Sequence, residues 1–145
     1  MKIFLIIVYI VISALVLAAL EIQIEGKYGW ASKLPAFRIK NKIMGAKPLT
    51  GYHLFFLLFT LIIFHFPLFF VSQWNYQNEL LVFGTWILIW TLEDFLWFTI
   101  NPYFGLKKFN NKNPDLWWHK SWFWGLPSFY WYSFPIGIIF IIFSF

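Results

Sequence analysis

Four long apolar runs decide most of what this chain can become. Residues 2–20, 51–71, 80–100 and 126–145 are interrupted by only a few polar groups, and about 20 helical residues are enough to cross ~30 Å of hydrocarbon. With 61% hydrophobic, 26% aromatic and only 12% charged residues in a chain of 145, a soluble fold of this size has too little interior to hide its apolar surface. The sequence therefore predicts an all-α, integral membrane four-helix bundle, with residues 1–145 forming one transmembrane domain.

Basic residues set the expected orientation, because Lys and Arg mark cytoplasmic loops. The first loop carries Lys27, Lys33, Arg38, Lys40, Lys42 and Lys47, and the third carries Lys107, Lys108, Lys112 and Lys120. The second loop, Ser72 to Glu79, has none, so both termini are expected outside. Lys2 followed by an apolar run ending in Ala18 and Ala19 imitates a secretory signal. That run exceeds the usual core of roughly 7 to 15 residues, and cleavage would leave the Lys-rich first loop outside, so the first helix is expected to be retained. The net charge of +5 follows from this topology, and with no nucleic-acid module around the basic residues no nucleic-acid partner is expected. The absence of cysteine excludes disulfides, thiolate nucleophiles and Cys-ligated zinc.

Local signals sharpen the boundaries. Thr50 reads as the N-cap of the second span, and Asn101-Pro102 followed by Gly105 ends the third. Asn113-Pro114 reads as the N-cap and first residue of a short interfacial helix through Ser121 in the last cytoplasmic loop. It would carry Trp117, Trp118 and Trp122 in an aromatic belt.

The chain has six acidic residues, and their placement carries the chemistry. Glu21 and Glu25 share a face whether the segment is helical, at i and i+4, or extended, at period two. Glu93 and Asp94 lie inside an apolar span, where one charge costs a few kcal/mol. Adjacent helical residues diverge by ~100°, so Glu93 falls in line with Trp86, Trp90 and Trp97, and Asp94 with Thr91 and Asn101. Both acids are placed near the cytoplasmic surface, within reach of Arg38 or a lysine, so a buried ion pair is the alternative to a functional role. His53 sits at the same expected depth, in the first turn of the second span. His65 lies about three turns deeper, where hydrogen bonding to a neighbouring helix accounts for it. His119 follows Asp115 at i+4.

Glu21, Glu25, His53, Glu93, Asp94 and His119 thus come from four segments at nearly one depth. Glu93 and Asp94 are the candidate acid and base. Glu21, Glu25, His53 and His119 are candidate ligands for a divalent metal, the only cofactor this set suggests. Arg38, Lys40 and Lys42 could hold a lipid phosphate. No GxSxG elbow, HExxH helix, P-loop or dinucleotide fingerprint is present, and three histidines are too few for the His-box clusters of membrane desaturases.

Residues 21–30 (Glu-Ile-Gln-Ile-Glu-Gly-Lys-Tyr-Gly-Trp), 34–38 (Leu-Pro-Ala-Phe-Arg), 93–98 (Glu-Asp-Phe-Leu-Trp-Phe), 101–105 (Asn-Pro-Tyr-Phe-Gly) and 117–119 (Trp-Trp-His) together resemble a family of small prokaryotic polytopic membrane proteins. The resemblance covers most of the chain and implies a multi-pass topology in a prokaryotic plasma membrane, with no activity attached. Residues 93–98 also resemble the acidic-aromatic motif of small membrane lycopene cyclases, whose carboxylates protonate a polyene. Thr91-Leu92 stands where that motif carries a proline, so the likeness is an analogy. Three functions fit the residues. One is an intramembrane enzyme acting on a lipid or isoprenoid at the cytoplasmic leaflet. The second is a proton or metal-ion transporter, for which four helices would need a homo-oligomer. The third is a non-catalytic membrane subunit or lipid-binding protein whose acids are neutralised by basic partners.

Overall fold

The computed structural model describes residues 1–40 and 47–145. Helix α1 spans Lys2–Glu25 and stops at Gly26, whose φ of 61° returns its N–H to the carbonyl of Ile22. It runs five residues past the expected boundary at Leu20, which resolves the Glu21–Glu25 alternatives in favour of the helix. A two-residue hairpin, β1 (Arg38–Ile39) with β2 (Leu49–Thr50), leads into α2 (Gly51–Phe70). Thr50 caps α2 as expected, accepting the His53 backbone N–H. Helix α3 is Tyr76–Ile100, capped by Asn75 with Glu79 in its first turn, and it begins four residues earlier than its apolar run.

The last third of the chain departs most from expectation. Pro114–Leu116 forms a single 3₁₀ turn where an interfacial helix to Ser121 was expected, although Asn113 does cap it by accepting the Asp115 N–H. The expected fourth span begins with a second hairpin, β3 (Trp122–Phe123) and β4 (Leu126–Pro127). Its turn residues Trp124 and Gly125 both have positive φ, 46° and 80°, the combination a tight hairpin requires. Helix α4 is consequently Tyr130–Phe143, only 14 residues, or ~21 Å at ~1.5 Å per residue. Three helices, α1 to α3, are long and apolar enough to cross a membrane, and α4 is a shorter apolar helix.

Helix α3 is the axis of the bundle. Ile10 and Ala14 of α1 pack on Leu88 and Ile89, and Ala18 and Ile22 pack with Trp97, Phe98, Leu116 and Trp118, so α1 and α3 run parallel. Helix α4 runs antiparallel to α3, with Gly84 against Gly137, Thr91 donating to Ser133 at 2.9 Å and Tyr130 reaching Asp94. Helix α2, also antiparallel, is tied to α3 through Thr60, whose hydroxyl accepts the indole N–H of both Trp86 and Trp90. Outside these seams large apolar side chains stay uncovered, among them Phe4, Phe59, Ile62 and Ile142. A surface of this kind is stable against hydrocarbon and costly in water.

A Cβ built on Gly84 would stand 2.8 Å from the Gly137 carbonyl oxygen, so backbone meets backbone and nothing flexible can yield. Gly84→Leu should therefore force α4 away and cost about 1–3 kcal/mol, read as a lowered thermal midpoint in detergent. An unchanged midpoint would contradict this packing.

Candidate functional site

Because α1 and α3 end where α2 and α4 begin, one end of the bundle collects the loops and hairpins and almost every acid of the chain. There a cavity of about 180 Å³ is lined by Glu21 and Glu25 from α1, His53 and Leu57 from α2, and Trp90, Glu93, Asp94, Trp97 and Phe98 from α3. Trp30, Lys47, Trp118 and Phe129 complete the wall. Glu21, Glu25, His53 and Glu93 are buried, and Asp94 is partly buried.

The four carboxyl groups have different partners. Glu25 Oε1 accepts the Ala31 backbone N–H at 2.5 Å, holding a bend in which Trp30 and Ala31 both take positive φ, 56° and 49°. Two consecutive non-glycine residues in that region are strained, so this carboxyl is an anchor for the loop that delivers Trp30. Glu21 accepts the Tyr52 hydroxyl at 3.2 Å. Asp94 accepts the Tyr130 hydroxyl on Oδ2 at 2.5 Å, and His119 Nε2 stands 3.2 Å from Oδ1 outside hydrogen-bond geometry. Glu93 differs from the other three, since its Oε1 is buried without a hydrogen-bond partner among the described residues.

The histidines are equally distinct. His53 Nδ1 lies 2.7 Å from the Thr50 hydroxyl. That hydroxyl already accepts the His53 backbone N–H and is free to give its own proton to Nδ1, which leaves an N–H on Nε2 facing Glu25 Oε1 at 3.8 Å. The ring stacks on Trp30, with centroids 4.0 Å apart, and the Trp30 indole N–H donates to the Pro48 carbonyl at 2.7 Å. His119 stacks on Phe129 and its carbonyl accepts the Trp122 indole N–H. His65 lies toward the other end of α2, where it pairs with Glu79 at 3.1 Å.

Glu21, Glu25, His53, Glu93 and Asp94 therefore share one cavity, with His119 joined to it through Asp94. The four residues expected to ligate a metal do not form one ligand set among the described residues: Glu21 turns to Tyr52, His53 approaches Glu25, and His119 lies apart against Asp94. Among the described residues no three His, Asp or Glu side chains are grouped to hold a cation. The shared helix face expected for Asp115 and His119 is not formed, because the segment is a 3₁₀ turn rather than an α-helix, and His119 lies against Asp94 instead. Arg38 is engaged elsewhere, donating to the carbonyls of Ala31, Leu34 and Ala36, which makes it the clasp of the first loop. Lys40 is exposed, and Lys42 lies outside the described residues.

Three contributors were not singled out in the sequence. Lys47 stands in the sequence as one of six basic residues of the first loop, and no pattern marks Tyr52 or Tyr130. Lys47 Nζ sits 4.0 Å from the Trp30 ring centroid and 5.7 Å from that of Phe129, a cation–π seat at the cavity wall. Burial pulls its ammonium below the ordinary lysine value, and the negative charge of Asp94 works the other way.

No protein-family model, curated protein or solved structure matches the chain.

Glu25→Ala should unpair the Ala31 N–H and release the strained bend, destabilising the fold by about 1–3 kcal/mol, whereas Glu25→Gln keeps an acceptor and should lose far less. Thermal unfolding of the two variants side by side tests this. In protein carrying reductively ¹³C-methylated lysines, the Lys47 signal should titrate below the ordinary value of 10.5. Asp94→Asn should lower it further, since it removes the charge that favours the ammonium; a rise would show that the two groups do not sense each other.

Proposed function

We propose that this chain is a multi-pass protein of a prokaryotic plasma membrane, with both termini outside, and that its loop-rich end forms an acid–base site for a lipidic substrate at the cytoplasmic leaflet. The observation that carries the reading is the contrast between two neighbouring carboxyls. Asp94 accepts the Tyr130 hydroxyl and has His119 Nε2 at 3.2 Å, while Glu93, buried in the same cavity, presents an oxygen with no partner among the described residues. A reacting acid or base must be free to exchange its hydrogen bond with a substrate, and a neighbour held by a tyrosine hydroxyl supplies a constant field beside it. Glu93 is accordingly the proton-transferring residue, and Asp94 positions His119 and Tyr130 beside it.

Size and surroundings support a lipidic substrate. The cavity, at about 180 Å³, is smaller than the ~300–1,000 Å³ typical of sites that enclose a whole small molecule. It accommodates a head group or one reactive segment, with the rest of the molecule outside. Beside it lies an apolar groove of about 430 Å³ between α3 and α4, bordered by Leu92, Phe95, Phe134 and Tyr130. Tyr130 thus has its ring on the groove and its hydroxyl on Asp94. Trp90, Trp97 and Trp118 give the cavity electron-rich faces suited to positive charge developing on a substrate carbon. No step of this reading uses a metal.

One observation favours proton transport as a second reading. His65 and Glu79 form another titratable pair at the opposite end of the bundle, where a relay would need its exit. His65→Ala separates the two, because it should stop proton movement and leave acid–base conversion at the cavity intact.

The purified protein in nanodiscs, incubated with a bacterial lipid extract in D₂O, should convert or deuterate a lipid species detectable by mass spectrometry. Glu93→Gln should abolish the change, and Tyr130→Phe should slow it by about 10–100-fold. Equal activity in wild type and Glu93→Gln would end the acid–base reading.

A further inference from the structure

Among the described residues two polar atoms in the cavity wall lack hydrogen-bond partners, and they are of opposite kinds; a third such atom, His119 Nε2, lies behind the wall against Asp94. Glu93 Oε1 is a buried oxygen and Trp97 Nε1 is a buried N–H donor. Both residues are only 4% exposed and both line the cavity. They stand at i and i+4 on α3, one turn apart on the same face. Leaving either atom unpaired in a dry interior costs on the order of 1–3 kcal/mol, so a ligand group that satisfies both at once would be strongly held.

The choice of group follows from donor and acceptor inventories. An ammonium has donors for Glu93 but no lone pair for the indole N–H. A phosphate or carboxylate accepts from the indole but brings negative charge among Glu21, Glu25, Glu93 and Asp94. A carbonyl accepts from the indole and has nothing to give an ionised Glu93. A hydroxyl accepts from Trp97 and either donates to the Glu93 carboxylate or accepts from its acid form, so it fits in both protonation states. Resting on the lipid-site reading above, we infer that the substrate is a neutral amphiphile bearing a hydroxyl head, seated between Trp97 Nε1 and Glu93 Oε1. Lys47, seated over Trp30 and Phe129, occupies the position a cationic head would otherwise take and reinforces the preference for a neutral one.

The test measures binding without turnover. Decanol, decanone, decylamine and decyl phosphate are titrated calorimetrically into the full-length protein in nanodiscs, with empty nanodiscs subtracted to remove partitioning. Decanol should bind saturably and tightest of the four. Trp97→Phe, which keeps a ring and removes the N–H, and Glu93→Met should each weaken it about tenfold. Trp86→Phe should leave it unchanged, because the Trp86 indole donates to Thr60 and lies outside the cavity lining. Tighter binding of decylamine or decyl phosphate, or decanol binding insensitive to Trp97→Phe in a variant whose thermal midpoint matches wild type, would overturn the hydroxyl assignment. If Trp97→Phe fails to fold, Glu93→Met and the order of the four probes decide alone. Loss of decanol binding alongside an intact Glu93-dependent lipid conversion removes the hydroxyl head and leaves the enzyme reading. Decanol binding with no conversion of any lipid supports the head-group assignment and removes the enzyme.

Discussion

Four carboxyl groups at one buried level are the most expensive feature of this molecule, and much of the surrounding structure is arranged to hold them. An isolated carboxylate in an apolar interior is tolerated only when hydrogen-bonded or paired. Three of the four have such partners, each drawn from a different part of the chain. A backbone N–H of the first loop serves Glu25, a tyrosine of α2 serves Glu21, and a tyrosine of α4 with a loop histidine serves Asp94. The same contacts tie the helix ends together, so the acids act as the cross-braces of the loop-rich end.

This arrangement separates positioning from reaction among residues of the same chemical type. Asp94 next to Glu93 in sequence is no redundancy, because a rotation of ~100° sends one toward α4 and leaves the other in line with Trp90 and Trp97 on the cavity wall. The strained Trp30–Ala31 bend belongs to the same scheme. It is held by Glu25 on one side and by Arg38 on the Ala31 carbonyl on the other, and it sets an indole against His53 and Lys47.

Helix periodicity made part of this legible in advance. The line of Trp86, Trp90, Glu93 and Trp97 and the separate line of Thr91, Asp94 and Asn101 are both faces of a regular helix, and each meets a different neighbour. Thr91 and Asp94 face α4, Asn101 reaches the Gly26 carbonyl, and Glu93 and Trp97 face the cavity. What pattern could not supply was pairing between distant segments. His119 has a local partner at the right spacing, Asp115, and only the collapse of that segment into a 3₁₀ turn sends it to Asp94. The shortening of α4 was hidden for a similar reason: Pro127-Ser128 is also compatible with the first turn of a helix, and Trp124-Gly125 lacks the Asn or Asp that usually marks a tight hairpin. Lys47 was hidden by an explanation that suited every lysine equally well.

The brevity of α4 has a mechanical consequence for the bilayer on the proposed reading. A helix of ~21 Å against ~30 Å of hydrocarbon leaves a hydrophobic mismatch of ~9 Å on one flank only. Lipids relieve such a deficit by thinning locally, and the exposed Trp124 and Trp131 of the adjoining hairpin and helix start are rings of the kind that settle at the head-group level. The leaflet would then dip beside Tyr130, lowering lipid head groups toward the cavity along the one side of the bundle where the groove opens. Delivery of a substrate would need no moving gate, only a membrane deformed by a helix that is too short for it.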